Sequence, residues 1–358
     1  MRHVRLASFA SSLFLCGFAG LATSCGSSTT FDSPSDQTPN AVLQGENNFA
    51  KLISIASQAQ AKKMPWAGFW WPFGEDGTTE ALNLYESATG RRGAVDWEMA
   101  NHGSGLGSSI LPWWGHCNGW SAASVLFPEP QKEIVRNGVT FGIGDQKALL
   151  SEISMEVNAD FFGNRVTDPN DTSSPAFMDV YPDQFLILLT NLMPRGLPII
   201  IDRYTGDQVW NQPLAGYMID PVSPSDASEP APSAPNVYRV AVTMTVWWAS
   251  DEVEPDHITE PFNFDDGASY GHRTLHGEIW LDSPAVFDTS GTLISSGNII
   301  LTHSGTVAVG GSWQNWDLPL VNSHPDYVWV PLNIVKPTGI ANPKLNPGQI
   351  AHFVEANI

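Results

Sequence analysis

Cysteine is nearly missing from this chain: there are three in 358 residues, Cys16, Cys25 and Cys117. So few exclude a disulfide-framed scaffold, and no His/Cys spacing suited to zinc occurs. Basic residues are scarce too. Seventeen Lys+Arg stand against 37 Asp+Glu, a formal charge of −20. A surface of that sign repels polyphosphate, which argues against nucleic acid as a partner. Charged residues of both signs reach only 15%, and no fixed-period repeat is visible. The one long apolar stretch, within residues 6–21, is too short and too rich in Ser and Gly for a permanent membrane span.

What is present starts at the N-terminus. Arg2, His3 and Arg5 precede Phe9, Leu13, Phe14, Leu15 and Phe18, so residues 1–24 read as an export signal. Leu21-Ala22-Thr23-Ser24-Cys25 resembles a bacterial lipobox, with Cys25 as the lipidated first residue. The expected location is therefore exported and lipid-anchored, at the outer membrane or cell surface, with the membrane met through that anchor only. The alternative is ordinary cleavage near Ala22, with Cys25 incidental. Residues 25–45 are rich in Ser, Thr, Pro and Asp and bury too little to order, so they are expected to be a tether. Loss of residues 1–24 removes Arg2 and Arg5 and no acid, taking the charge from −20 to −22. The rest divides into a helical and aromatic segment at 46–95, a catalytic domain at 96–335 and a C-terminal tail at 336–358.

On this reading Cys117 is the only cysteine the mature chain keeps outside its anchor. It stands in Trp113-Trp114-Gly115-His116-Cys117-Asn118-Gly119-Trp120, ahead of a helix-compatible stretch ended by Pro128 and Pro130. A helix start supplies backbone N–H groups without partners and a positive local potential, which favour a thiolate. Other helices are expected at 47–62, 74–85, 145–157 and 181–192. A buried strand is expected at 197–201, and an exposed loop at 221–235. Period-two strands follow at 237–248, 274–281, 292–302, 306–309 and 327–330. Helices followed by a run of strands predict an α+β fold with an antiparallel sheet.

Three segments carry a family resemblance. The first is Trp114-Gly115-His116-Cys117-Asn118-Gly119-Trp120-Ser121-Ala122-Ala123. The second, Val209-Trp210-Asn211-Gln212-Pro213-Leu214-Ala215-Gly216-Tyr217, is similar to the elicitor peptide V-W-N-Q-P-V-R-G-F of the oomycete transglutaminase elicitor family. The third, Gly310-Gly311-Ser312-Trp313 followed by His324-Pro325-Asp326-Tyr327-Val328-Trp329, is similar to that family's G-G-E-W and H-P-D-F. They occur in the family's order, across roughly residues 95–335. The resemblance implies a papain-like or transglutaminase-like thiol core and a protein-glutamine γ-glutamyltransferase. Its partners would be proteins offering glutamine and lysine side chains. Leu214-Ala215 and Ser312 depart from the family pattern and bear on substrate range.

In such chemistry Cys117 attacks a glutamine carboxamide, ammonia leaves, and an amine resolves the thioester. Gly115 and Gly119 would let backbone approach the substrate closely. Two histidines compete as general base. His276 opens a strand whose Asp282 falls on the same side, six residues on; His324 belongs to the H-P-D-F-like stretch. A third outcome is that neither serves. Trp114, Trp120, Trp210, Asn211 and Gln212 are candidate substrate-binding residues, set against core packing for the tryptophans and a structural turn for the 209–217 segment. His102, His257, His272 and His303 have no supporting context. Calcium is the one cofactor left open. Asp265-Asp266-Gly267 and Asp168-Pro169-Asn170-Asp171 are acidic, but neither has the spacing of a twelve-residue calcium loop. The rival functions are a papain-like peptidase or amidase and a non-catalytic surface binding protein.

Overall fold

Three of the period-two stretches, at 237–248, 274–281 and 327–330, join one large antiparallel sheet. The computed structural model describes residues 45–163, 165, 180–301, 311–314, 324–334 and 341–355. The helices are α1 (Phe49–Ala56), α2 (Thr79–Thr89), α3 (Ala94–His102), α4 (Cys117–Leu126), α5 (Ile143–Ile153), α6 (Pro182–Leu192) and α7 (Pro347–Glu355). The first strands are β1 (Gln58–Gln60), β2 (Ile134–Arg136), β3 (Val139–Phe141), β4 (Val157–Phe162), β5 (Ile200–Asp202), β6 (Asn211–Ile219) and β7 (Ala227–Ser228). Then come β8 (Tyr238–Ala249), β9 (Tyr270–Leu281), β10 (Val286–Phe287), β11 (Leu293–Ser295), β12 (Gly311–Gln314) and β13 (Val328–Ile334).

The main sheet runs β12-β9-β8-β6-β5-β13-β4, with β1 added to β6 and β7 to β8. Its strand pairs are antiparallel. This is the expected α+β class, and α4 carries Cys117 as its first residue.

Alternation along the strands sorts side chains to two faces. Ile199 just before β5 and Ile201 within it, with Val328 and Val330 of β13, join α1 and α6 in one core. Ile200, Tyr327 and Trp329 point the other way, into a cluster that contains Cys117, Ala122 and Val125. Next to it a further core joins Trp66, Tyr85, Trp120, Leu149 and Trp247. Residues 46–95 thus share a core with 96–335. Each fully buried Leu, Ile or Phe in these layers contributes about 1.5–3 kcal/mol.

Several elements differ from expectation. The apolar run at 47–62 is helical only to Ala56. Beyond Ser57 the chain instead pairs with β6, Gln58 opposite Met218 and Gln60 opposite Gly216, so sheet partners override local helical pattern. The 209–217 segment is a strand, β6, not a turn. Only Leu293–Ser295 of the expected strand at 292–302 is extended as a strand among the described residues. The expected strand at 306–309, the signal and most of the tether (1–44), His303, and residues 336–340 and 356–358 of the expected tail lie outside the described residues.

The described chain enters the fold through a clamp. The Asn191 side chain of α6 accepts from the Glu46 N–H at 3.1 Å and donates to the Glu46 carbonyl at 3.0 Å. Asn48 Nδ2 donates to the Ser296 carbonyl at 2.9 Å, and the Phe49 N–H to the Gly297 carbonyl at 3.2 Å.

Candidate active site

Cys117 opens α4 and is 1% exposed. An extended segment fixes this helix start. Pro72 bridges to Gly115, the His116 N–H donates to the Trp70 carbonyl at 2.7 Å, and the Phe73 N–H donates to the Trp114 carbonyl at 2.9 Å. A Cβ on Gly115 would lie 2.6 Å from the Trp70 carbonyl oxygen, and one on Gly119 would lie 2.3 Å from the Ser151 carbonyl oxygen of α5. These two glycines therefore serve internal packing, which corrects their expected role in substrate approach.

The sulfur lies 3.7 Å from the Val209 carbonyl oxygen and 4.0 Å from Asn211 Nδ2. Asn211 is itself fixed. Its Oδ1 accepts from Trp329 Nε1 at 2.9 Å and from the Tyr327 hydroxyl at 3.3 Å. Trp70 and Trp113 pack on this cluster, and Trp70 meets Trp210 edge-on at 5.7 Å. The wall of the site is therefore aromatic.

Cys117 is held in a disulfide, contrary to its expected standing as a thiol alone in the mature chain. The two other cysteines of the sequence, Cys16 and Cys25, lie outside the described residues. An oxidised sulfur cannot attack an amide, so any nucleophilic role belongs to the reduced form.

Neither expected histidine faces the sulfur. His276 pairs in register with Thr243 and lies 3.1 Å from its hydroxyl. Thr243 in turn accepts from the Asp220 N–H, just past the end of β6, whereas Asn211 begins that strand. Nine residues of strand separate the two rows, roughly 30 Å at ~3.3 Å per residue. Asp282 lies beyond His276, exposed, where its carboxylate accepts from the Asn298 backbone and side-chain N–H groups at 2.9 and 3.2 Å. The buried His324 ring stacks on Trp313 at 5.7 Å, in the α6 layer, while Cys117 lies in the opposite cluster. Among the aromatic and amide candidates, Trp120 is fully buried in the core beneath Gly68. Trp114 packs with Phe73 and Met155. Gln212 is buried and alternates away from Asn211. Of these candidates Asn211 meets the sulfur, and Trp210 packs on Trp70 of the same cluster.

Sequence reasoning missed Asp202. It pairs in register with Asn211 across β5 and β6, so both side chains share one face with Cβ atoms about 5 Å apart. Its Oδ1 accepts from the Trp210 N–H at 2.8 Å, and its buried Oδ2 has no hydrogen-bond partner among the described residues. Burial raises this carboxyl to about 7, against the lowering pull of backbone donors and of Arg165 and Arg203. No local motif marks Asp202. The only signal is its place at the end of a strand, opposite the elicitor-like segment.

A second titratable cluster adjoins Cys117. His116 Nε2 lies 3.0 Å from Glu98 and 3.4 Å from Glu152. Burial opposes charge on His116, but the Glu152 and Glu98 carboxylates outweigh it and raise the ring to about 10. Burial also raises Glu98, but hydrogen bonds from His102 and His116 bring it down to about 2. Glu152 is raised by burial and by the Glu98 charge.

Comparison with known proteins agrees with the resemblance read from the motifs. Residues 97–238 match the transglutaminase elicitor family model. The crystal structure of the GP42 transglutaminase from Phytophthora sojae matches with a TM-score of 0.65 at 18% identity, over 88% of this chain and 95% of that one. No curated protein matches.

Proposed function

We propose that this chain, with its transglutaminase-like fold and its transglutaminase elicitor sequence at 97–238, is a protein-glutamine γ-glutamyltransferase that works through Cys117. The observation that carries the reading is one constellation. A cysteine at a helix start touches an asparagine locked by two aromatic donors, and a buried carboxyl that titrates near neutrality lies across the strand from that asparagine.

In this reaction the reduced Cys117 sulfur attacks the carboxamide carbon of a glutamine side chain. Oxyanion charge develops where the first-turn N–H groups of α4 and Asn211 Nδ2 can donate. The C–N bond breaks, ammonia carries off a proton, and a thioester remains. A lysine amine then attacks it, giving an isopeptide bond and restoring the thiol. Asp202 is the general base. In its ionised form it takes the proton from the thiol or from the incoming amine, and neighbouring backbone donors and Arg165 help hold the resulting charge. The aromatic wall excludes water, which favours transfer over hydrolysis.

Anchoring belongs to the same reading. A Cys25 whose sulfur carries the lipid in a thioether forms no disulfide, which would leave Cys117 of the anchored mature chain as a thiol. The test is incorporation of a labelled primary amine into a glutamine-rich protein by reduced full-length protein. Wild type is expected to incorporate label and Cys117→Ala to lose it. Fragments without crosslinks would show a peptidase instead. No transfer to any glutamine donor, with or without calcium, would reject the assignment.

A further inference from the structure

Four buried side chains converge beside the start of α4. Glu98 and His102 lie one turn apart on α3, His116 precedes α4, and Glu152 lies near the end of α5. Glu98 Oε1 is 2.9 Å from His102 Nδ1 and 3.0 Å from His116 Nε2, and Glu152 Oε1 is 3.4 Å from His116 Nε2. The donor atoms of Glu98, His102 and His116 lie within 4.8 Å of one another. We propose that this cluster is a structural site for a divalent first-row transition ion, zinc being the best fit, held by Glu98, His102, His116 and Glu152.

Three observations carry the proposal. The first is spacing. Ligands bound tetrahedrally at ~2.0–2.1 Å stand about 3.3 Å apart, and the contacts run from 2.9 to 3.4 Å. The second is orientation. His116 Nδ1 lies 3.2 Å from the Trp71 carbonyl oxygen and can donate to it, which turns Nε2 inward, as a metal-binding imidazole is turned by its second partner. Trp71 takes φ 42 to present that carbonyl, a conformation rare for so bulky a residue. The third is an orphan. Glu152 Oε2 is buried and has no hydrogen-bond partner among the described residues, while Oε1 accepts from Thr78 at 2.5 Å.

Two carboxylates, two neutral imidazoles and a divalent cation sum to zero, and the ion would use the orphan's carboxylate. Phe73 stacks on His102 at 4.9 Å and meets His116 edge-on at 4.9 Å, while Trp97 meets His102 at 5.1 Å, so the shell is apolar. Such an ion would tie α3, α4 and α5 together behind the nucleophile without touching substrate.

The experiment is metal analysis of the full chain, produced with zinc in the medium and gel-filtered in metal-free buffer. About one zinc per chain is expected, as for a closed structural site. Chelator-treated protein should regain a higher Tm on addition of Zn2+ alone, and should show the visible bands of tetrahedral cobalt on addition of Co2+ alone. Glu98→Gln should lose the ion, and the exposed control Asp265→Asn should keep it. Unfolding on chelation that Zn2+ reverses also supports the site. Wild type that is folded by circular dichroism, holds no stoichiometric metal, and gains neither Tm nor cobalt bands would overturn it, whatever the fate of the variants. None of these measurements depends on transfer activity.

Discussion

At the scale of the residue, the proposed chemistry turns on the oxidation state of Cys117 and the ionisation of Asp202. The sulfur is disulfide-bonded and nearly sealed from solvent. In the unlipidated full chain, alkylation of Cys117, followed by peptide mass, should therefore be negligible before reductant and complete after it, and amine incorporation should rise in parallel. On the proposed mechanism Asp202 sets the pH behaviour. A base raised to about 7 is ionised only above that pH, so transfer should fall as pH drops through about 7. Asp202→Asn keeps an oxygen for the Trp210 N–H but cannot accept a proton. It should lower kcat by ~100–10,000-fold and abolish that limb of the profile. The stability sign is opposite. The folded protein binds a proton that the unfolded chain releases, so stability is lost as pH rises from the ordinary carboxylate range to about 7, and Asp202→Asn should flatten that slope in urea titrations. His276→Ala, remote from the sulfur, should leave amine incorporation within about twofold of wild type, since surface and remote changes are mostly mild. Cys117, Trp210 and Asn211 were legible in the sequence because rare residues and a shared peptide marked them. Asp202 was not, because its meaning comes from a cross-strand register that no local pattern encodes.

At the scale of the element, α4 is held by contact of backbone on backbone. Gly119 sits where any side chain would press into the Ser151 carbonyl of α5. Gly119→Ala should cost about 1–3 kcal/mol or more by overpacking, read as a lower urea midpoint with unchanged slope, and should depress activity by shifting the helix start. Most helices and the long strands were legible. The apolar run at 181–192 and the alternation of β8 emerge with bounds within a residue of expectation. The failures have physical causes. Apolar residues at 47–62 fit a helix equally well past Ala56, and only the free edge of β6 draws Gln58–Gln60 into a strand. α3 escaped notice because its residues carry no clear apolar stripe: it buries Glu98 and His102 along with Ala94. The β2–β3 hairpin was written in plain sight as Asn137-Gly138, both at positive φ, as a tight turn requires.

At the scale of the whole molecule, residues 45–95 are part of the fold. β1 is a strand of the main sheet, Phe49 and Leu52 lie in the α6 core, and the carbonyl of Trp70 fixes the helix start at Cys117. If residues 45–95 were an inhibitory pro-region, their removal would raise activity. The packing predicts the reverse: a chain beginning at residue 96 should be poorly soluble and inactive, while one beginning at residue 45 should match the mature protein in amine incorporation. The α+β class was legible from helices preceding strands. The layering was not, since one sheet with helices on both faces follows from which residues alternate to which side.

The clamp at residues 46–49 has a mechanical consequence. Tension applied to the chain upstream would meet Asn191 of α6 and the 296–297 loop, and would load those hydrogen bonds before any force reached Trp70 or the turn that presents the sulfur. The reactive end of α4 is thus strain-relieved from the N-terminus, as a cable is secured ahead of its terminals. Under a pull on its N-terminal side the chain would keep Cys117 aligned until the clamp itself gave way.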